Sequence, residues 1–335
     1  MKEFIAKVVD RQDLTRAEAT AAMELIMGGE ATPAQIAAFI TALRLKGETV
    51  DEITGFAQVM RAKATPVRAE GEAVIDTCGT GGDHSGTFNI STCAAFVAAG
   101  AGARVAKHGN RSVTSASGSA EVLARLGVNI EADVPVVERC LEEANIGFLF
   151  APRLHAAMKH AIGPRREIGI RTVFNILGPL TNPARARRQL LGVYDGRLIE
   201  LLARVLGNLG SLRCFVVHGC DGLDEITTTD QTDIAELRDG DVHLSTMSPE
   251  DFGLRRADLR DLKVSGPDES AAAIREILSG GFGPRTDIVL LNAAAALVAA
   301  GLADTIASGL AIARKSIASG AAMEALHKLV EVSCG

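Results

Sequence analysis

The chain has 335 residues, 47% of them hydrophobic and 23% charged, with a formal net charge of -6. That balance describes a globular protein of one or two domains, and the negative charge argues against broad attraction to nucleic acid or an acidic membrane. Tryptophan is absent and Tyr194 is the single tyrosine, so base stacking is poorly supplied; the six scattered cysteines form no CxxC pair, which points to reduced thiols in a cytosol.

The N-terminus, MKEFIAKVVDRQDL, lacks the apolar core of a signal peptide, and a cytoplasmic protein is expected. Three helices follow with readable starts. Thr15 with Glu18, Thr32 with Gln35 and Thr49 with Glu52 each place a hydroxyl three residues before an acid or amide, the capping-box spacing. Pro33 sits at a first helical position, where its missing N–H costs nothing. Residues 1–68 are expected to form a small helical domain that is structural or dimer-forming rather than chemical.

From residue 69 to 335 the pattern becomes α/β. Short apolar runs at 73–77, 103–109, 145–151, 190–195, 213–219 and 287–292 read as strands, alternating with amphipathic stretches such as 134–144 and 198–210. This predicts βα units around a mainly parallel sheet. The run LNAAAALVAAGLA near the C-terminus is too short and too rich in alanine to span a bilayer, so no membrane partner is expected.

Three loops, each after a predicted strand, carry the chemistry. In the first, CGTGGDHSGTFNIST (78–92), Gly79, Gly81 and Gly82 let backbone N–H groups close on a phosphate without interference from a Cβ. Asn89 is placed to cap the next helix, and Ser91 and Thr92 lie in its first turn, where free N–H groups favour an anion. The stretch is neither a Walker loop nor a GxGxxG turn in register, and on its own a glycine-rich turn of this kind is as readily a plain turn.

The second loop, from Lys107 to Gly127, offers the Lys107 charge and the donors Asn110, Ser112, Thr114, Ser115, Ser117 and Ser119. The third, HGCDGLDE (218–225), ends in the adjacent carboxylates Asp224 and Glu225, a supply that suits Mg2+ held by one or two carboxylates and a substrate phosphate. An isolated Asp-Glu pair is ordinarily just solvated; beside two phosphate-type loops it gains meaning, because ligands of open α/β sheets bind at the strands' carboxyl ends. The arginine-rich segment 153–189 adds Arg165, suited to clamping a small carboxylate, although a solvated helix face uses the same residues.

Taken together, GTGGD (79–83), NIST (89–92), KHGNR (107–111), FNILGPLTNPA (174–184) and DGLDE (221–225) resemble the anthranilate phosphoribosyltransferase family, in order and over essentially the whole chain. The resemblance implies a nucleoside phosphorylase-like α/β domain and a helical domain, joined by a helical segment around 170–186, that forms a homodimer. It implies transfer of the 5-phosphoribosyl group of 5-phosphoribosyl 1-diphosphate to the amine of anthranilate in tryptophan biosynthesis. Carried over by motif, Gly79, Gly82, Asp83, Thr87, Asn89, Ile90, Ser91, Thr92, Lys107, Ser115 and Ser119 would bind the sugar diphosphate. Gly79, Asn110 and Arg165 would bind anthranilate, and Ser91, Asp224 and Glu225 would hold Mg2+, two ions per subunit. Glu121 stands where the family pattern has Asp.

Two rivals use the same residues differently. A pyrimidine nucleoside phosphorylase would read KHSGR-like where this chain has KHGNR and would lack the DGLDE pair. A non-catalytic nucleic-acid-binding relative would have lost parts of the glycine-rich and acidic loops, which are intact here.

Overall fold

The computed structural model describes residues 1–71, 73–83, 85–111 and 118–335. Helices α1 (Lys2–Val9), α2 (Arg16–Met27), α3 (Pro33–Lys46) and α4 (Val50–Lys63) come first. All three expected capping boxes are formed: Thr15, Thr32 and Thr49 accept from the amides of Glu18, Gln35 and Glu52, whose side chains return the bond. Glu52 does more than cap. Fully buried, it also accepts from the Leu14 N–H at 2.9 Å and from Lys46 Nζ at 3.0 Å, tying the α1–α2 connection to α3 and α4.

After α4 the chain builds β1 (Val74–Gly79), α5 (Ile90–Gly100), β2 (Arg104–Gly109), α6 (Ser119–Leu126), α7 (Val134–Glu143) and β3 (Ile146–Phe150). The arginine-rich segment folds as α8 (Ala151–Leu154), α9 (Lys159–Ile168) and α10 (Phe174–Leu177), and leads to β4 (Arg188–Gly192), α11 (Ile199–Asn208) and β5 (Arg213–Gly219). A hairpin of β6 (Thr232–Arg238) and β7 (Asp241–Met247) follows, then α12 (Leu259–Leu262), α13 (Pro267–Leu278), α14 (Pro284–Ala300), α15 (Ile306–Ala318) and α16 (Ala321–Cys334).

The strands form one sheet in the order β3-β2-β1-β4-β5-β6-β7. The first five are parallel, with Lys107 opposite Phe148 and Cys78 opposite Leu191, while β5-β6 and β6-β7 are antiparallel. This is the mainly parallel α/β sheet expected. Because β1, β2 and β5 run the same way, the loops after them leave from one edge. Chain order reverses between β1 and β4, which makes that edge the switch point where such sheets bind ligands.

One face of the sheet packs against α5, α13, α14, α15 and α16. On the other, Leu191, Val193 and Val216 join α11 and helices α1 to α4 in a continuous apolar cluster that includes Ala161 of α9 and Phe174 of α10.

One strand expectation is corrected. Residues 287–292, read as a strand, lie inside α14. That helix is buried on nearly every side from Thr286 to Ala300, so its apolar residues show no one-faced period, and a short apolar run of this kind does not distinguish strand from helix. The β6-β7 hairpin was not anticipated; Asp241–Thr246 of β7 is largely exposed and polar, as suits an edge strand. Among the described residues no helix is long and apolar enough to cross a membrane.

Candidate functional site

The first loop turns at Gly81 and Gly82, both at positive φ (68° and 77°), conformations that side chains with a Cβ rarely adopt. Its peptides are held from two sides. The Gly81 N–H donates to Asp224 Oδ2 at 2.7 Å, and the Gly82 carbonyl accepts from the Arg171 guanidinium, which stacks 4.2 Å from the ring centroid of Tyr194. In a trans peptide the carbonyl and the following N–H point opposite ways, so Arg171 also fixes where the Asp83 N–H is aimed. Asp83 accepts from the Ser85 N–H at 3.2 Å, and Thr87, 3.1 Å from the Ser85 hydroxyl, pairs with Lys263.

At the start of α5, Asn89 occupies the cap position but makes no side-chain cap bond, contrary to expectation. Its Oδ1 accepts from Ser270 of α13 at 2.9 Å, and the same hydroxyl accepts the Asn89 N–H at 2.9 Å. Asn89 is thus turned aside to α13, which leaves the helix mouth to other groups. Ile90 is buried in the core, with its N–H bonded to Phe88. The Ser91 N–H donates to Glu225 Oε1 at 3.1 Å. Thr92 is fully buried, and its hydroxyl has no hydrogen-bond partner among the described residues.

Lys107, 2% exposed, runs from β2 beneath this helix start. Its Nζ lies 2.6 Å from the Thr77 carbonyl and 3.4 Å from Ser91 Oγ. Burial lowers its pKa, and the carboxyl of Asp76, fully buried on β1, opposes that shift. Asp76 is pushed up to about 6 by burial, although it accepts from Asn182 Nδ2 at 2.8 Å and from the His108 N–H at 3.1 Å. His108 meets His155 Nε2 to Nε2 at 3.2 Å. Burial and that proximity hold His108 down to about 3, and burial holds His155 to about 4, so both rings are neutral near pH 7.

The acidic loop arrives from β5 over the ends of β4 and β1. Gly192 and Gly79 give it room: a Cβ at Gly192 would overlap the Asp224 backbone, and one at Gly79 would collide with its carboxylate. Asp224 is raised well above the ordinary carboxylate range by burial, then by the charges of Asp83 and Glu225. Glu225 is raised to about 7 by burial, partly offset by Lys107 and the Ser91 N–H. Three carboxylates crowded at a half-buried sheet edge strain one another, and a cation would relieve that strain. The donors are all oxygen, and no group of three or more His, Cys, Asp or Glu residues among the described ones forms a cage by itself. That fits Mg2+, which keeps waters and takes phosphate oxygens, better than a metal enclosed by protein alone.

Asn110, just past β2, accepts the Arg111 N–H at 2.7 Å on its Oδ1, and its carbonyl accepts from Ser119 Oγ, at the first residue of α6, at 3.4 Å. Arg165 lies on α9, half-buried, its guanidinium 5.1 Å from the Phe174 ring centroid; burial lowers its pKa. Ser115 and His84 lie outside the described residues. The structure therefore ties Gly81 to Asp224, Ser91 to Glu225 and Lys107 to Ser91, with Gly79 packed against the Asp224 carboxylate. Asn110, three residues after Lys107, meets Ser119 of α6, and Arg165 stands on α9 against Phe174. Sequence reasoning missed Arg171, His155 and Asn182 as partners around this site, because their contacts are set by tertiary packing.

The comparisons agree along the whole chain. A glycosyl transferase family helical bundle domain matches residues 2–64, and a glycosyl transferase family a/b domain matches residues 71–323. An anthranilate phosphoribosyltransferase from Moorella thermoacetica is 58% identical over 330 residues, covering 98% of this chain and 97% of that protein. The crystal structure of anthranilate phosphoribosyltransferase from Thermus thermophilus superposes with a TM-score of 0.94 at 42% identity, covering 99% of each chain. The Saccharomyces cerevisiae anthranilate phosphoribosyltransferase in complex with PRPP and Mg matches with a TM-score of 0.89 at 28% identity, over 99% of this chain and 97% of that one.

Proposed function

The chain belongs to the anthranilate phosphoribosyltransferase family, and from that premise we infer how its site works. It transfers the 5-phosphoribosyl group of 5-phosphoribosyl 1-diphosphate to the amine of anthranilate, giving N-(5-phosphoribosyl)anthranilate and diphosphate, in tryptophan biosynthesis. The sugar diphosphate lies against Gly79, Gly82, Asp83, Thr87, Asn89, Ser91, Thr92, Lys107, Ser115 and Ser119, with Ile90 anchoring the helix start from within the core. Anthranilate meets Gly79, Asn110 and Arg165.

Asp224, Glu225 and Ser91 would hold Mg2+, two ions per subunit, and the metal when bound supplies positive charge to the diphosphate leaving group. The other tasks fall to the chain. As the C1–O bond of the ribose breaks, charge builds on the departing diphosphate, and the Lys107 ammonium, 3.4 Å from Ser91 Oγ at the start of α5, would meet it. The aromatic amine of anthranilate is neutral near pH 7 and forms the C1–N bond without a general base, losing its proton afterwards. His108 and His155, held down to about 3 and about 4 by burial, are weak proton acceptors, in keeping with that economy.

Homodimerisation belongs to the same reading, through residues 1–68 and the segment around 170–186. Leu45 of α3 and Ile170, one in each of those segments, are 73% and 50% exposed and support an apolar contact there. Sedimentation of the purified chain tests it.

The observation that carries the reading is the meeting of Gly81 with Asp224, Ser91 with Glu225 and Lys107 with Ser91 at one sheet edge. The test follows anthranilate fluorescence in a mixture of protein, Mg2+ and 5-phosphoribosyl 1-diphosphate. Fluorescence should fall only when all are present and should stop falling on addition of EDTA; a mixture with thymidine and phosphate should yield no thymine. Unchanged anthranilate beside active thymidine cleavage would reverse the assignment.

A further inference from the structure

Asn292 stands fully buried in the middle of α14, in a run from Ile288 to Ala300 that is otherwise apolar. A buried amide is costly unless its bonds are made, and here they are. Its Oδ1 accepts the Ile226 N–H at 3.0 Å; its Nδ2 donates to the Ile226 carbonyl at 2.8 Å and to the Ile288 carbonyl at 2.9 Å. Two of the three bonds grip the residue directly after Glu225, fixing the Glu225–Ile226 peptide to a helix that packs against β1, β4 and β5.

Asp221, the first residue of the DGLDE motif, ties the same loop from its half-buried side. Its Oδ1 accepts the Leu223 N–H at 3.2 Å, and its Oδ2 accepts from the hydroxyls of Thr227, at 2.7 Å, and Thr229. The segment from 221 to 229 is therefore closed on itself at one end and bolted to α14 in the middle. Like charges at Asp224, Glu225 and Asp83 push apart, and a loop held only by its own backbone would relax by spreading them.

We propose that Asn292 and Asp221 are positioning residues that hold Asp224 and Glu225 together for the metal-bound diphosphate. This rests on the reading of the site given above. Neither residue touches substrate; each acts through the loop, and partners of this kind set metal affinity by about 10- to 100-fold.

The test is calorimetry of 5-phosphoribosyl 1-diphosphate binding to the full chain, in saturating Mg2+ and in EDTA. It compares the wild type, Asn292→Asp, Asp221→Ala, Thr229→Val and Asp224→Asn. Asn292→Asp keeps the size and the acceptor but removes both donors. Asn292→Asp and Asp221→Ala should each weaken binding in Mg2+ by at least about tenfold, while binding in EDTA and the KM for anthranilate stay near wild type. Thr229→Val should show a smaller loss of the same kind. A purely structural role would lower the melting temperature without touching the increment that Mg2+ adds. If Asn292→Asp does not fold, the two variants on the half-buried side decide. Wild type without any Mg2+-dependent gain overturns the functional reading and this inference together. A gain lost in Asp224→Asn but kept in the Asn292 and Asp221 variants overturns this inference alone.

Discussion

The Gly81 N–H donates to Asp224 Oδ2 at 2.7 Å, joining residues 143 positions apart. Two residues earlier, Gly79 lies so close under the same carboxylate that no Cβ fits. Gly79→Ala is therefore expected to displace Asp224 while leaving the buried strand intact. A misplacement of this size costs about 100-fold in kcat/KM, with circular dichroism and the melting temperature little changed.

Lys107 and His108 are neighbours on β2 with different duties. Lys107→Ala and Asp224→Ala should each lower kcat/KM by about 10²- to 10³-fold, the cost of removing one preorganised electrostatic group. His108→Ala should cost less than about tenfold, below the range typical of a lost general acid or base. Loss of turnover in His108→Ala with both substrates still bound would falsify transfer without a general base.

The pH dependence of stability carries the signature of the buried histidine pair. Folded, His108 and His155 protonate only near about 3 and about 4, against 6.5 for an unperturbed ring. Between roughly these values and 6.5 the unfolded chain binds protons that the folded protein refuses, so this contribution to stability is present above 6.5 and is lost as pH falls. Each ring contributes up to about 1.4 kcal/mol per pH unit. Urea unfolding of His155→Gln between pH 4.5 and 6 should show a slope shallower than wild type by about one proton's worth; an unchanged slope would mean that His155 titrates normally.

Glu52 and Glu200 are both paired acids on helices, and burial separates them. Glu52 and Lys46 side chains are 0% and 4% exposed, whereas the Arg204 and Glu200 side chains are 55% and 44% exposed. Glu52→Ala leaves the buried Leu14 N–H without its acceptor and Lys46 with Asp13 and the Gly47 carbonyl alone, and should cost about 2 kcal/mol. Glu200→Ala should change stability by less than about 1 kcal/mol. Denaturant unfolding of the two variants measures the contrast.

What was legible in the sequence was mostly local. The capping boxes at Thr15, Thr32 and Thr49 need only residues three apart, and all three formed. The loops after β1, β2 and β5 were found because glycine, lysine and paired acids each follow an apolar strand. Periodicity failed at 287–292, where burial on nearly every side of α14 erased it. The local rule also failed at Asn89: a distant serine on α13 competes for its side chain, and nothing near residue 89 announces Ser270. Asn292 left one faint signal, a lone amide in an apolar run, but its partner is 66 residues away.

The Asp224 backbone rests on Gly192 as its carboxylate rests on Gly79, so the acidic loop is seated on the bare ends of two neighbouring strands. Three distant stretches of sequence thereby share one fate. A descendant of this protein cannot acquire a side chain at position 79 or 192 without rerouting the loop, and a loop rerouted to spare such a change would abandon its acids. Divergence along this lineage must therefore run through the surrounding helices and leave those two strand ends bare.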